Sequence, residues 1–290
     1  MKRIKKIDIH AHVVPKSIQT RLDFLNEDEL FRIYDELRVE KSVILPFLRT
    51  GKSAVDASNE NAMLAVQAYP ERFARFVSVE LIDNDIDLYF FLKAQKDNGA
   101  VGVGEITSNI YFDDSRVDNL LSACEKLDMP VLAHISPALG KGYGLVDDLG
   151  LPRLEKILQA HPNLKFIGHS KPFWSEIAIL RSEEERSQAI SGKIKEGRLP
   201  YLLRKYGNLY CDLSAGSGAN AMMRDREYTI EFMNEFQDRL LYGTDICSLN
   251  STFPYTFSAF LDKLCESGEI SFSVYKKICR DNAIRLLKLQ

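Results

Sequence analysis

With 290 residues, 45% of them hydrophobic and 27% charged, the chain can bury one large core without help from disulfides. Its net charge of −3, from 38 basic and 41 acidic residues, offers no general attraction to nucleic acid or to an anionic membrane. The five cysteines include no CxxC pair and read as reduced thiols. The start, MKRIKKIDIH, is basic but reaches His10 before an apolar segment could form, and no apolar run approaches the ~20 residues of a membrane span. The expectation is a cytoplasmic protein with a small-molecule substrate and no membrane or nucleic-acid partner, for which a homo-oligomer stays open.

In chain order, residues 4–9 read as a first strand. Asn26 then serves as the N-cap of a helix over 27–39 that places Leu30, Ile33, Tyr34 and Leu37 on one face. Further strands are expected over 42–47, 73–79, 100–106, 130–134, 164–168, 209–213 and 240–243, because these short apolar runs are β-branched or end at glycine. Helical patterns fall between them, over 59–68, 86–97, 115–127, 152–160 and 221–236. Pro152 suits a first helical turn, and the charged segment 174–206 includes one or two more helices. Residues 216–220, rich in glycine and serine, read as a flexible loop. Eight strands alternating with helices imply parallel pairing and closure into a single-domain, distorted (β/α)8 TIM barrel over residues 1–290.

Chemistry in such a barrel sits at the C-terminal ends of the strands. Of the five histidines, His10, His12, His134 and His169 fall there, whereas His161 lies between a helix and the next strand, on the opposite face. In Asp8-Ile9-His10-Ala11-His12, period-two alternation turns both imidazoles, and Asp8 beneath them, to one side. Asp245 follows the eighth strand, where it reads either as a metal ligand and proton acceptor or as a helix N-cap. Glu105 ends the fourth strand and is equally open between a structural and a ligand role. Imidazole and carboxylate suit zinc first, and also manganese, iron or nickel, as one ion or two. Bound zinc can lower the pKa of a coordinated water to about 7, which provides a nucleophile at neutral pH. Arg49, Lys171 and Trp174 are candidate substrate-binding residues. A solvated surface role for Arg49 and a packing role for Trp174 are the plainer alternatives.

This ordered set resembles the amidohydrolase superfamily, in its amidohydrolase-related branch. The likeness runs from Asp8-Ile9-His10-Ala11-His12 through Gly168-His169, Tyr210-Cys211-Asp212-Leu213-Ser214 and Leu241-Tyr242-Gly243-Thr244-Asp245 to Asp281-Asn282-Ala283-Ile284-Arg285-Leu286-Leu287. It implies a metal-dependent hydrolase of C–N or C–O bonds in amides, lactones or esters. In a one-metal form His10, His12, His134 and Asp245 would be ligands, with His169 and Asp245 catalytic. In a two-metal form Glu105 would bridge the ions, and His134 and His169 would hold the second. No lysine ends the fourth strand, where other relatives carry a carboxylated one. The same branch contains metal-dependent non-oxidative decarboxylases of small carboxylic acids, which is the alternative reading. A TatD-like deoxyribonuclease would need a basic rim that the net charge does not supply.

Overall fold

A computed structural model describes residues 4–18, 24–47, 52–82, 86–188 and 191–289. Arg49 therefore lies outside the described residues. Nine strands are present among them: β1 (Lys6–Ala11), β2 (Val39–Ile44), β3 (Phe73–Val77), β4 (Ala100–Ile106), β5 (Val131–Ser136), β6 (Leu145–Val146), β7 (Phe166–His169), β8 (Leu209–Asp212) and β9 (Leu240–Leu241). All pair in parallel, in the order β1-β2-β3-β4-β5-β7-β8-β9, and β6 is an extra short strand added to β5. The ring closes between β1 and the segment after β9. Ile9 N–H donates to Tyr242 O at 3.1 Å, and Asp245 N–H donates to His10 O at 2.7 Å. The fold is the expected (β/α)8 barrel.

Two apolar layers hold it together. Ile7, Ile9, Val43, Leu45, Phe76, Leu132, Ile167 and Leu241 fill the barrel interior, and Ala283, Leu286 and Leu287 of the final helix close its lower end. A larger shell packs the outward faces of the strands against the helices. The helices are α1 (Glu27–Leu37), α2 (Lys52–Ala68), α3 (Leu88–Asp97), α4 (Ser115–Lys126), α5 (Pro152–Ala160), α6 (Lys171–Ser175), α7 (Arg198–Lys205), α8 (Ala215–Met223), α9 (Arg226–Phe236), α10 (Phe253–Glu266), α11 (Phe272–Lys276) and α12 (Asn282–Leu287). None is long and apolar enough to cross a membrane. All five cysteines are unpaired.

The element boundaries move where local chemistry overrides periodicity. Asn26 caps α1 in a full capping box with Glu29, as its sequence context suggests, and the buried face includes Leu30, Ile33, Tyr34 and Leu37. The helix stops at Leu37, however, because Arg38 takes a left-handed conformation, and this releases Val39 to start β2 three residues earlier than expected. The helix expected over 221–236 is two, since Asp225 accepts from Tyr228 N–H and caps a fresh start at Arg226. Residues 216–220 are not a loop: they belong to α8. Gly218 permits this, for a Cβ there would lie 2.4 Å from Leu213 O.

Candidate active site

Strand register brings the polar strand ends together. His134 of β5 and His169 of β7 are direct partners in the parallel ladder, so they emerge at one level on adjacent strands. His10 lies within β1 and His12 one residue beyond it. Between Asp8 and Ala11 the β1–β2 register slips, and strict alternation fails there. Asp8 consequently does not share the face of His10. It turns toward α1, where it accepts from Tyr34 O–H at 2.8 Å, and it also accepts from Thr244 N–H and Oγ1–H at 2.9 and 2.6 Å. This fully buried carboxyl, pushed up to about 6 by burial, ties β1 to the turn that carries Asp245.

The histidine orientations follow from what holds each Nδ1. Asp212 Oδ2 lies 2.7 Å from His10 Nδ1 and 2.9 Å from His169 Nδ1, and it also accepts from Ser214 O–H at 2.7 Å. An ionised carboxylate only accepts, so it keeps the proton on both Nδ1 atoms and turns both Nε2 lone pairs into the barrel mouth. His12 reaches the same state by donating from Nδ1 to Leu45 O at 3.0 Å. As a result His10 Nε2 and His12 Nε2 face each other at 3.2 Å, each 3.4 Å from Asp245 Oδ1. Two lone pairs at that separation repel unless a cation or a proton lies between them. That donor set fits a divalent metal ion.

A second group adjoins the first. Glu105 Oε1 accepts from His134 Nδ1 at 2.6 Å and lies 3.7 Å from His169 Nε2, while Glu105 Oε2 is 3.9 Å from His10 Nε2. The ligand-type atoms therefore form overlapping triads: His10, His12 and Asp245; His10, His169 and Asp212; and Glu105, His134 and His169. The expected one-metal quartet does not assemble as such, because His134 stands with Glu105 and His169 rather than with His10, His12 and Asp245.

The electrostatics reflect this density of charge. Burial opposes the His10 imidazolium, but Asp245, Asp212 and Glu105 outweigh it and lift the group to about 10. Burial likewise opposes ionised Asp212 and Glu105, yet the surrounding imidazoles hold both well below the usual carboxylate range. Asp245 is also held low, with burial outweighed by His10 and His12. Of the described histidines and carboxylates in these triads, only Asp245, with 28% of its side chain exposed, and His134, with 18%, reach the opening to any extent. Aromatic rings border them: Tyr143 lies 4.3 Å from His134, and Phe47 lies 5.2 Å from His12.

Asp212 and Ser214 escaped the sequence reading as site residues. The signal was present, since Asp212 ends an apolar strand just as His134 and His169 do. Gly243 is required for the close approach of β9, because a Cβ there would lie 2.6 Å from Asp212 Oδ1. Trp174 does not face the opening: it is 2% exposed, and its indole N–H donates to Asp212 O at 2.9 Å. Lys171 is exposed and borders a separate pocket with Trp174. His161 contacts Asp118 and Glu125 and stays apart from the other histidines.

Solved structures with this fold include several decarboxylases. The 2,6-dihydroxybenzoate decarboxylase from Rhizobium superposes with a TM-score of 0.62 at 18% identity, covering 98% of each chain. The 5-carboxyvanillate decarboxylase from Sphingomonas paucimobilis gives 0.66 at 14% identity, covering 99% of this chain and 100% of the other. A dihydroxybenzoic acid decarboxylase from Polaromonas, with bound manganese and the inhibitor 2-nitroresorcinol, gives 0.63 at 17% identity, covering 98% and 96%. Identities this low establish the shared fold alone. No curated protein sequence matches the chain. The family-level sequence pattern described as Amidohydrolase, by contrast, matches residues 7–289, from the second residue of β1 to the end of the described chain. A match of that span takes in every strand of the barrel and every polar strand end described above, and the chain belongs to the amidohydrolase family.

Proposed function

We propose that the chain is a divalent-metal-dependent enzyme that decarboxylates a small carboxylic acid without oxidation. The observation that carries this reading is the convergence of His10 Nε2, His12 Nε2 and Asp245 Oδ1 at a barrel mouth where the partly exposed Asp245 and His134 offer acid–base groups. The decarboxylases sharing the fold, one of them with manganese, support it further. His10, His12 and Asp245 would hold the ion, with Glu105 and His169 beside it, and manganese or zinc suits these donors. When bound, such an ion supplies positive charge that fixes and polarises a substrate oxygen.

In the reaction, the bond from the substrate carbon to its carboxylate breaks, carbon dioxide leaves, and the electron pair stays on carbon until a proton replaces the lost group. In this reading Asp245 and His134 relay that proton from water to the carbon. Glu105 accepts from His134 Nδ1, which fixes the imidazole with Nε2 free to act. Asp212 keeps His10 and His169 in one tautomer throughout. Tyr143 and Phe47 supply flat apolar borders suited to an unsaturated or aromatic acid.

A second reading, hydrolysis of a C–N or C–O bond with zinc, is favoured by the triad of Glu105, His134 and His169, which can hold a second ion. The metal-loaded protein, offered a panel of aromatic and unsaturated acids and a panel of amides, lactones and esters, separates the two. Carbon dioxide release from an acid is the expected result. Hydrolysis of a neutral substrate with no carbon dioxide from any acid, and two tightly held ions, would replace the proposal with the second reading.

A further inference from the structure

A pocket apart from the metal centre lies between α6 and α8. Its border includes Lys171, Trp174, Gln188, Ser217, Asn220 and Arg224. Lys171 and Arg224 are its two cations, and among the described residues neither makes an ion pair or a side-chain hydrogen bond. Nε and Nη2 of Arg224 are buried without a partner. The nearest carboxylate in sequence, Asp225, makes its hydrogen bonds elsewhere, accepting from Ile194 N–H at 2.8 Å and from Lys193 Nζ at 3.3 Å, and offers Arg224 only its charge. Burial pulls the Arg224 guanidinium down from its usual range, outweighing the charges of Asp225 and Tyr228.

Buried guanidinium N–H groups left without acceptors are costly, and such groups in a folded protein call for a missing partner. The partner that satisfies a planar fork of donors, with an ammonium alongside, is a bidentate oxyanion. The amides of Asn220 and Gln188 and the hydroxyl of Ser217 also line the pocket and are further donors. No histidine of the metal centre borders the pocket, so an anion held here is not a ligand of the ion. The two places are nevertheless joined, for Trp174 borders the pocket and its indole N–H is bonded to Asp212 O.

We propose that Arg224 and Lys171 bind a small oxyanion, a carboxylate or a phosphate group, at this second site. The site does not depend on which reaction the metal centre performs. Trp174 is the only tryptophan, so intrinsic fluorescence reports on the pocket directly. The test titrates inorganic phosphate and, separately, acetate into the metal-loaded and the chelator-treated protein, with ionic strength held constant by chloride. A saturable fluorescence change in both forms of the protein is expected, and the tighter of the two probes identifies the group. Arg224→Met, which keeps the apolar stem, and Lys171→Met, at an exposed position, should each weaken binding about tenfold or more. The proposal fails if neither probe gives a saturable change. It also fails if the change vanishes on chelation and survives both substitutions, which would assign the anion to the metal centre.

Discussion

Replacing Asp212 by Asn tests whether one buried carboxylate sets the metal-binding state of two histidines. In the native arrangement Oδ2 faces His10 Nδ1, His169 Nδ1 and Ser214 Oγ, while Oδ1 accepts from Ser214 N–H at 2.9 Å. Asparagine has one acceptor and one donor end, and neither orientation satisfies this set. With the amide NH2 toward the imidazoles, it forces their protons onto Nε2, where the ion would bind. With the carbonyl toward the imidazoles, the NH2 meets the Ser214 N–H, donor against donor, in a site with no exposure. Leaving that buried donor unmet costs about 1–3 kcal/mol. Loss of a carboxylate that orients ligating histidines typically weakens metal affinity about 10–100-fold, or about 1.4–2.8 kcal/mol. The dissociation constant for manganese or zinc, measured by competition with a chelator, should rise by that factor while circular dichroism stays native. A natively folded Asp212→Asn protein that binds metal within about threefold of the unaltered chain would refute the reasoning.

Asp245→Asn should leave the fold intact and cut turnover by about 100-fold or more, the scale of a lost proton-transfer group, as measured by carbon dioxide release. Gly243→Ala places a methyl 2.6 Å from Asp212 Oδ1 and 2.9 Å from Ser214 Cβ. A loss of about 1–3 kcal/mol in denaturant unfolding, together with weaker metal binding, is expected. Chelation should lower the Tm, since an ion present at about 100 times its dissociation constant contributes about 2.7 kcal/mol; identical melting with and without chelator would argue against a resident ion. Asp128, at a left-handed turn, is held at about 2 by Lys165 and Lys288. Its folded value lies below the unfolded value of about 3.9, so its contribution is present above pH 4 and lost as pH falls toward 2. Asp128→Asn tolerates the same backbone and should lower the Tm at pH 6 and by much less at pH 2. An equal difference at both pH values would contradict this.

Most of the residues that cluster at the barrel mouth were legible from local pattern. A polar group closing an apolar run marks a strand's C-terminal end, which is how His134, His169 and Asp245 stood out, and HxH at the first strand needed no partner to be noticed. The Asn26 cap and Pro152 start are likewise short-range chemistry, fixed within four residues. What depended on the tertiary structure was which groups meet. Register on adjacent strands sets His134 beside His169 and lets Glu105 take His134 rather than leave it to His10 and His12. The slip in β1 turns Asp8 outward to Tyr34, an effect that alternation cannot foresee. Glycine costs a helix about 1 kcal/mol, so residues 216–220 read as loop. Packing overrides that cost, because Gly218 lets α8 approach Leu213 O where any larger residue would collide. Propensity and capping act over a few residues and can be read along the chain. Ligand grouping and tautomers are set by contacts between residues as far apart as His10 and Asp212, which only the closed barrel brings within hydrogen-bond reach.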